Sequence, residues 1–83
     1  MNRDQSIILL NQSVADELQS IHQYLSFHLY CQRYGYDMLA NMFDRIAIVE
    51  IKHLELLADR ISFLGGKIDL RLPNNIQHCT TVN

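Results

Sequence analysis

The chain holds three glycines and one proline, and their placement decides most of what it can become. Gly35 stands alone, Gly65 and Gly66 stand together, and Pro73 lies beyond them. Glycine and proline punctuate regular structure more strongly than any other residue. Two long stretches are left uninterrupted, from about Gln5 to Arg33 and from about Asp37 to Leu64. In the first, Leu10, Val14, Leu18, Ile21, Leu25, Phe27 and Leu29 recur mostly three or four residues apart, with polar residues between them. That is the helical period. Asp4 or Ser6 is expected to cap this helix, and Gly35 to close it in the left-handed conformation.

The second stretch carries Met38, Leu39, Met42, Phe43, Ile46, Ile48, Val49, Ile51, Leu54, Leu57, Ile61 and Leu64. The β-branched residues among these lower helix propensity slightly, but length and period still decide for helix. The apolar positions spread over more than one side, so this helix is expected to face two neighbours. A link of a few residues makes two such helices antiparallel, an αα-hairpin, each helix roughly 40 Å long at 1.5 Å per residue. The expected organisation is a helical hairpin over residues 1–66, then an extended tail over 67–83, with Leu72-Pro73-Asn74-Asn75 marking a turn and Ile76–Asn83 a loose end.

Composition matters at this point because 83 residues give one domain or less. Hydrophobic residues make up 48% of the chain and charged ones 19%, more apolar surface than two helices can hide between themselves. Cores this small rarely stand alone. A partner surface is expected, most simply a second copy. A net charge of −2 with seven scattered basic residues does not suit nucleic acid, whose phosphates call for clustered Lys and Arg. No apolar run approaches the 18 or more residues of a membrane span. Ile7–Leu10 is too short for a signal-peptide core, so a cytoplasmic protein is expected. Cys31 and Cys79 make no disulfide framework and are read as free thiols.

Within the second helix, Glu50-Ile51-Lys52-His53 sets a carboxylate and an imidazole three residues apart, neighbours on one face with Cβ atoms roughly 5–6 Å apart. Folding about Gly35 brings Glu17 level with them. Two carboxylates and a histidine in an apolar bundle would cost several kcal/mol without a partner. A metal offsets that cost, and this donor set suits iron, manganese or zinc. Two-metal four-helix bundles take a Glu from each of two helices and a Glu-x-x-His from each of the other two. This chain supplies half of that set, and two copies about a two-fold axis would supply it whole, with the Glu50 pair bridging and Glu17 and His53 as terminal ligands. The plainer reading is that such residues on a helix are simply solvated.

Asp16-Glu17-Leu18-Gln19, Ile21, Gln23-Tyr24, Gly35-Tyr36, Glu50-Ile51-Lys52-His53 and Asp59-Arg60-Ile61-Ser62-Phe63-Leu64-Gly65-Gly66 together resemble the N-terminal half of bacterioferritin, in the ferritin-like superfamily. The likeness runs from about Leu10 to Gly66 without a gap. It implies a ferritin-like four-helix bundle built from two all-α hairpins, and an iron-binding site that oxidises Fe(II). The implied metal ligands are Glu17, Glu50 and His53, and Tyr24 matches a tyrosine beside the family's metal centre, the candidate catalytic residue. The family chain is about twice as long, so either this chain is a fragment or a homodimer replaces the missing half. Ile51 stands where the family has its haem-ligating methionine, and no haem is expected there. The alternative is a truncated structural or adaptor module whose metal site is vestigial or binds zinc.

Other residues carry weaker signals. His28, close to the Glu17 face, is read as an interface or surface histidine before a ligand on the path of incoming iron, and His22 as solvated. Cys31 reads as a small buried hydrophobe, Tyr30, Tyr34 and Tyr36 as packing at the turn, and His78-Cys79 as part of the tail.

Overall fold

A computed structural model describes residues 1–71, as two helices and a short extended segment. The expectations for Leu72–Asn75, Ile76–Asn83 and His78-Cys79 lie outside the described residues. Helix α1 spans Arg3–Arg33 and α2 spans Asp37–Phe63. They form the expected antiparallel hairpin, 48 Å long. Among the described residues no helix is long and apolar enough to cross a membrane.

The start of α1 differs from the expectation. Asn2 is the cap, not Asp4 or Ser6. The Gln5 backbone N–H donates to Asn2 Oδ1 at 2.8 Å, and the Asn2 N–H donates to Gln5 Oε1 at 3.1 Å. This reciprocal pair satisfies two otherwise orphaned groups, and it leaves Asp4 in the first turn, where its charge suits the helix dipole. Both helices end alike. Gly35 (φ +80°) and Gly65 (φ +76°) take the left-handed conformation. Beyond them the Tyr36 N–H donates to Cys31 O at 2.8 Å and the Gly66 N–H to Ile61 O at 2.9 Å, the six-residue closure of a Schellman cap.

The core between the helices is thin: Val14, Ile21, Cys31, Ala40, Ala47 and Ile61 are the buried apolar residues among those described. Ala40 and Ala47 let the backbones approach. Cys31 is buried as expected, and its thiol is free. Near the turn, His28 Nδ1 lies 2.7 Å from the Ala40 carbonyl oxygen, so the histidine joins the two helices. His22 is half-buried and not the solvated side chain expected of it. Tyr30 and Tyr34 pack at the turn, rings 4.8 Å apart.

At the open end, the chain after α2 turns back over α1. Arg3 Nη1 donates to Leu64 O at 3.1 Å. Asn11 holds the extended segment from both sides, donating to Lys67 O at 3.1 Å and accepting from the Asp69 N–H at 2.9 Å. Gly66 lies against Ile7 so closely that a Cβ there would meet three Ile7 side-chain carbons at 2.8–2.9 Å. Ile7 is β-branched and stiff. Gly66→Ala is therefore expected to destabilise the chain by about 1–3 kcal/mol, the usual range for overpacking, read as a lower urea midpoint at unchanged m-value. Asn11→Ala removes both clamp bonds, at roughly 1–2 kcal/mol for a partly exposed pair, and should raise amide exchange at Asp69.

Candidate metal centre

Rows of residues seven apart, two helical turns, run along each helix. In α1 one row is Leu10, Glu17, Tyr24 and Cys31; in α2 one is Phe43, Glu50, Leu57 and Leu64. Arg3 meets Leu64, and the Tyr24 ring stacks on Phe43 at 6.2 Å with 28° between planes. Both contacts belong to one register, in which paired residue numbers add to a constant. That register puts Glu17 opposite Glu50.

One ligand atom from each of Glu17, Glu50 and His53 lies within 4.8 Å of the other two. Among the described residues no other trio of His, Cys, Asp or Glu comes so close. His53 Nδ1 is 3.9 Å from Glu50 Oε2, an i,i+3 pair on α2. The Glu50 side chain is 22% exposed and that of His53 53%. Glu17 is half-buried, with Oε2 sealed from water and without a hydrogen-bond partner. The cluster thus sits at the edge of the hairpin, closed on the carboxylate side and open on the imidazole side.

The electrostatics express the strain of this arrangement. The Glu17 carboxyl is pushed up to about 7. The leading cause is the Glu50 carboxylate beside it, which favours a proton shared between the two groups; removal from water and the like charge of Glu50 act the same way, while His53 opposes them. A cation between these groups would take the place of that proton. In the metal-free chain Glu17 binds its proton more tightly folded than unfolded. Its contribution to stability is complete below its ordinary value of 4.5 and is lost as pH rises through about 7. The urea midpoint of the metal-free chain should therefore be higher near pH 5 than near pH 8, and Glu17→Gln should flatten that dependence.

Tyr24 is two turns along α1 from Glu17, in the same row, and packs on Phe43, which also touches Phe27 at 5.3 Å. This aromatic trio packs between the helices on the turn side of the cluster. Its sequence signal was available, since Phe43 lies seven residues before Glu50 just as Tyr24 lies seven after Glu17. Ile51, at the centre of the Glu-x-x-His, is partly exposed on α2, away from the cluster.

Beside His53 runs another row of α2, and it is bare. Met42, Val49, Leu56 and Phe63 are 44%, 48%, 68% and 78% exposed. Part of the apolar excess expected from the composition is thus found next to the open side of the cluster, where an isolated hairpin has nothing to cover it.

Known proteins show what this hairpin is similar to. A family model, the ferritin-like domain, matches residues 7–82. The chain is 43% identical over 61 residues to a bacterioferritin of Desulfovibrio desulfuricans, an alignment that covers 74% of this chain and 34% of the relative. The aligned stretch is thus about a third of that relative's length. No solved structure matches the chain. With the family model covering nearly its whole length and the hairpin holding the family's helical architecture, the chain belongs to the ferritin-like domain family.

Proposed function

We propose that this chain is an iron-binding half of a ferritin-like bundle, and that two copies form a di-iron centre at which Fe(II) is oxidised, in the service of iron storage or homeostasis. The observation that carries this reading is the convergence of Glu17, Glu50 and His53 within 4.8 Å on one edge of the hairpin. The donors fit the metal. Two carboxylates and one imidazole are the borderline-hard set that iron accepts, and the partnerless Glu17 Oε2 is an oxygen in want of a cation. The name of the bacterioferritin relative supports iron over manganese or zinc.

Each residue has a part. Glu50 would be the ligand shared between the two metal positions. Glu17 and His53 are terminal ligands, one pair per subunit. Two Fe(II) held there would supply one electron each, reducing O₂ with two protons to H₂O₂, or H₂O₂ with two protons to two waters. Tyr24 lies two turns from Glu17 in the same row, and as a phenol able to pass a proton or an electron it is the proposed catalytic side chain. Glu17 gives up its shared proton as the cation binds, so uptake weakens as pH falls through about 7. Ile51 offers no atom that ligates iron, and no haem is proposed there. The homodimer is proposed to work in the cytoplasm.

An anaerobic titration with Fe(II), followed by air, tests the reading. Binding should saturate at about one iron per chain, as the half-set of ligands dictates, and absorbance of ferric iron should grow on exposure to oxidant. Saturation by Zn(II) with no oxidative change after Fe(II) would instead favour the zinc-binding structural module.

A further inference from the structure

Glu17 stands on one helix, Glu50 and His53 on the other, so the cluster exists only while α1 and α2 keep one register. Apolar burial holds the helices together but has no direction. Sliding is resisted by side-chain knobs seated between those of the facing helix. On the turn half of α2 the buried seam residues are Ala40 and Ala47, whose single methyl groups are the smallest of knobs. The link through Tyr34, Gly35 and Tyr36 joins the helix ends, yet one joined end leaves α1 free to swing about it. A second fixed point is needed, and a hydrogen bond supplies one, because it weakens steeply with distance and angle.

His28 makes that bond, its Nδ1 lying 2.7 Å from the Ala40 carbonyl oxygen across the seam. We propose that His28 is a positioning residue for the metal centre: its tie to Ala40 fixes the register of α1 on α2 that sets Glu17 opposite Glu50 and His53. The proposal rests on the metal-centre reading and deepens it by naming what holds the ligands in place.

The chemistry of the pair suits the task. A carbonyl oxygen only accepts, so the imidazole donates, and the neutral ring carries its proton on Nδ1. That oxygen has two lone pairs, one for the helical bond of α2 and one for His28. Ala40 is 3% exposed, and a larger side chain there would crowd the approach of the ring. The bond is partly buried, where water competes less for either group. His28 itself is no member of the ligand group. It lies 11 residues from Glu17, roughly 16 Å along the helix at 1.5 Å per residue, so a small swing near the turn grows toward the cluster. Metal sites tolerate errors of about 0.2 Å in a ligand distance, far less than the 1.5 Å of a one-residue slip.

Three substitutions test this. His28→Phe keeps a ring and removes the donor. His28→Asn places an amide N–H where Nδ1 stood, and His28→Gln places it farther out, near Nε2. Circular dichroism and the urea midpoint report folding. In the metal-free chain, the nuclear Overhauser contact between the Tyr24 and Phe43 rings reports register. Anaerobic titrations with Fe(II) and Zn(II) report affinity. His28→Phe should stay helical, lose the Tyr24–Phe43 contact and bind both metals about 10- to 100-fold more weakly, the usual cost of losing a group that orients ligands. His28→Asn should recover the ring contact and most of the affinity, and His28→Gln neither. If His28→Phe does not fold, the comparison of Asn with Gln decides alone. Metal affinity unchanged in folded His28→Phe, or equal in the Asn and Gln variants, overturns the proposal and leaves the metal centre standing. If the unaltered chain takes up neither metal, the metal-centre reading fails and this proposal with it.

Discussion

Glu50→Ala is expected to abolish iron binding while leaving the hairpin folded. Losing the group that merely supports a metal ligand typically costs 10- to 100-fold in affinity. Glu50 is proposed as a ligand itself, shared by two metals and present twice in the assembly, so a loss of more than about 100-fold is expected. Titration of the variant with Fe(II) should fall from about one iron per chain to none at micromolar protein. Stability should not fall with it. Glu50 is the chief cause of the raised Glu17 carboxyl, and removing it relieves a like-charge contact and returns Glu17 toward an ordinary carboxylate. A variant that is folded, dimeric and still binds iron at full stoichiometry would sink the di-iron reading. His53→Ala should weaken binding at each position singly, whereas Glu50→Ala should affect both at once.

The second large effect concerns assembly. Leu56→Glu combined with Val49→Glu should convert the proposed dimer to monomers. Both residues are exposed on the isolated hairpin, Leu56 at 68% and Val49 at 48%, so neither substitution disturbs the core formed by Val14, Ala47 and Ile61. In the proposed dimer, symmetry would place four carboxylates where four apolar side chains meet. Each buried, unpaired charge costs several kcal/mol, so the dissociation constant should rise by more than roughly a thousandfold, at 1.4 kcal/mol per factor of ten. Sedimentation velocity reads the change in mass directly. Iron uptake should be lost in parallel although every ligand is still present. A variant that remains dimeric would place the interface elsewhere, with Leu25, Leu29 and Ile48 among the other exposed apolar residues.

Most of the fold was legible because the signals are local. Gly35 and Gly65 end helices through a conformation that side chains other than glycine rarely adopt, and a window of a few residues suffices to see it. The period of Leu10, Val14, Leu18 and Ile21 marks α1 in the same way. The N-terminal cap was missed since Asn2, Asp4 and Ser6 are all competent acceptors; the reciprocal bond between Asn2 and Gln5 favours Asn2, and only the backbone path shows that it forms. His22 was read as solvated because it lies off the Glu17 row, but a side chain off one face of a helix can still be covered from another.

The candidate site shows the same division. That Glu50 and His53 share a face follows from the three-residue spacing alone, and that Glu17 lies near them follows from an antiparallel hairpin about Gly35. Sequence therefore determined the identity of the three candidate ligands, the two helices that carry them and the excess of apolar residues. Tertiary structure decided what depends on register and on which side of a helix the neighbour lies. It set Tyr24 on Phe43 and Glu17 opposite Glu50, and it buried Glu17 Oε2 without a partner. It also left Met42, Val49, Leu56 and Phe63 bare beside His53. The periodicity of one helix says which residues share a face, but burial is a relation between two helices. A shift of one residue along α1 would have parted Glu17 from Glu50 without changing a letter of either motif.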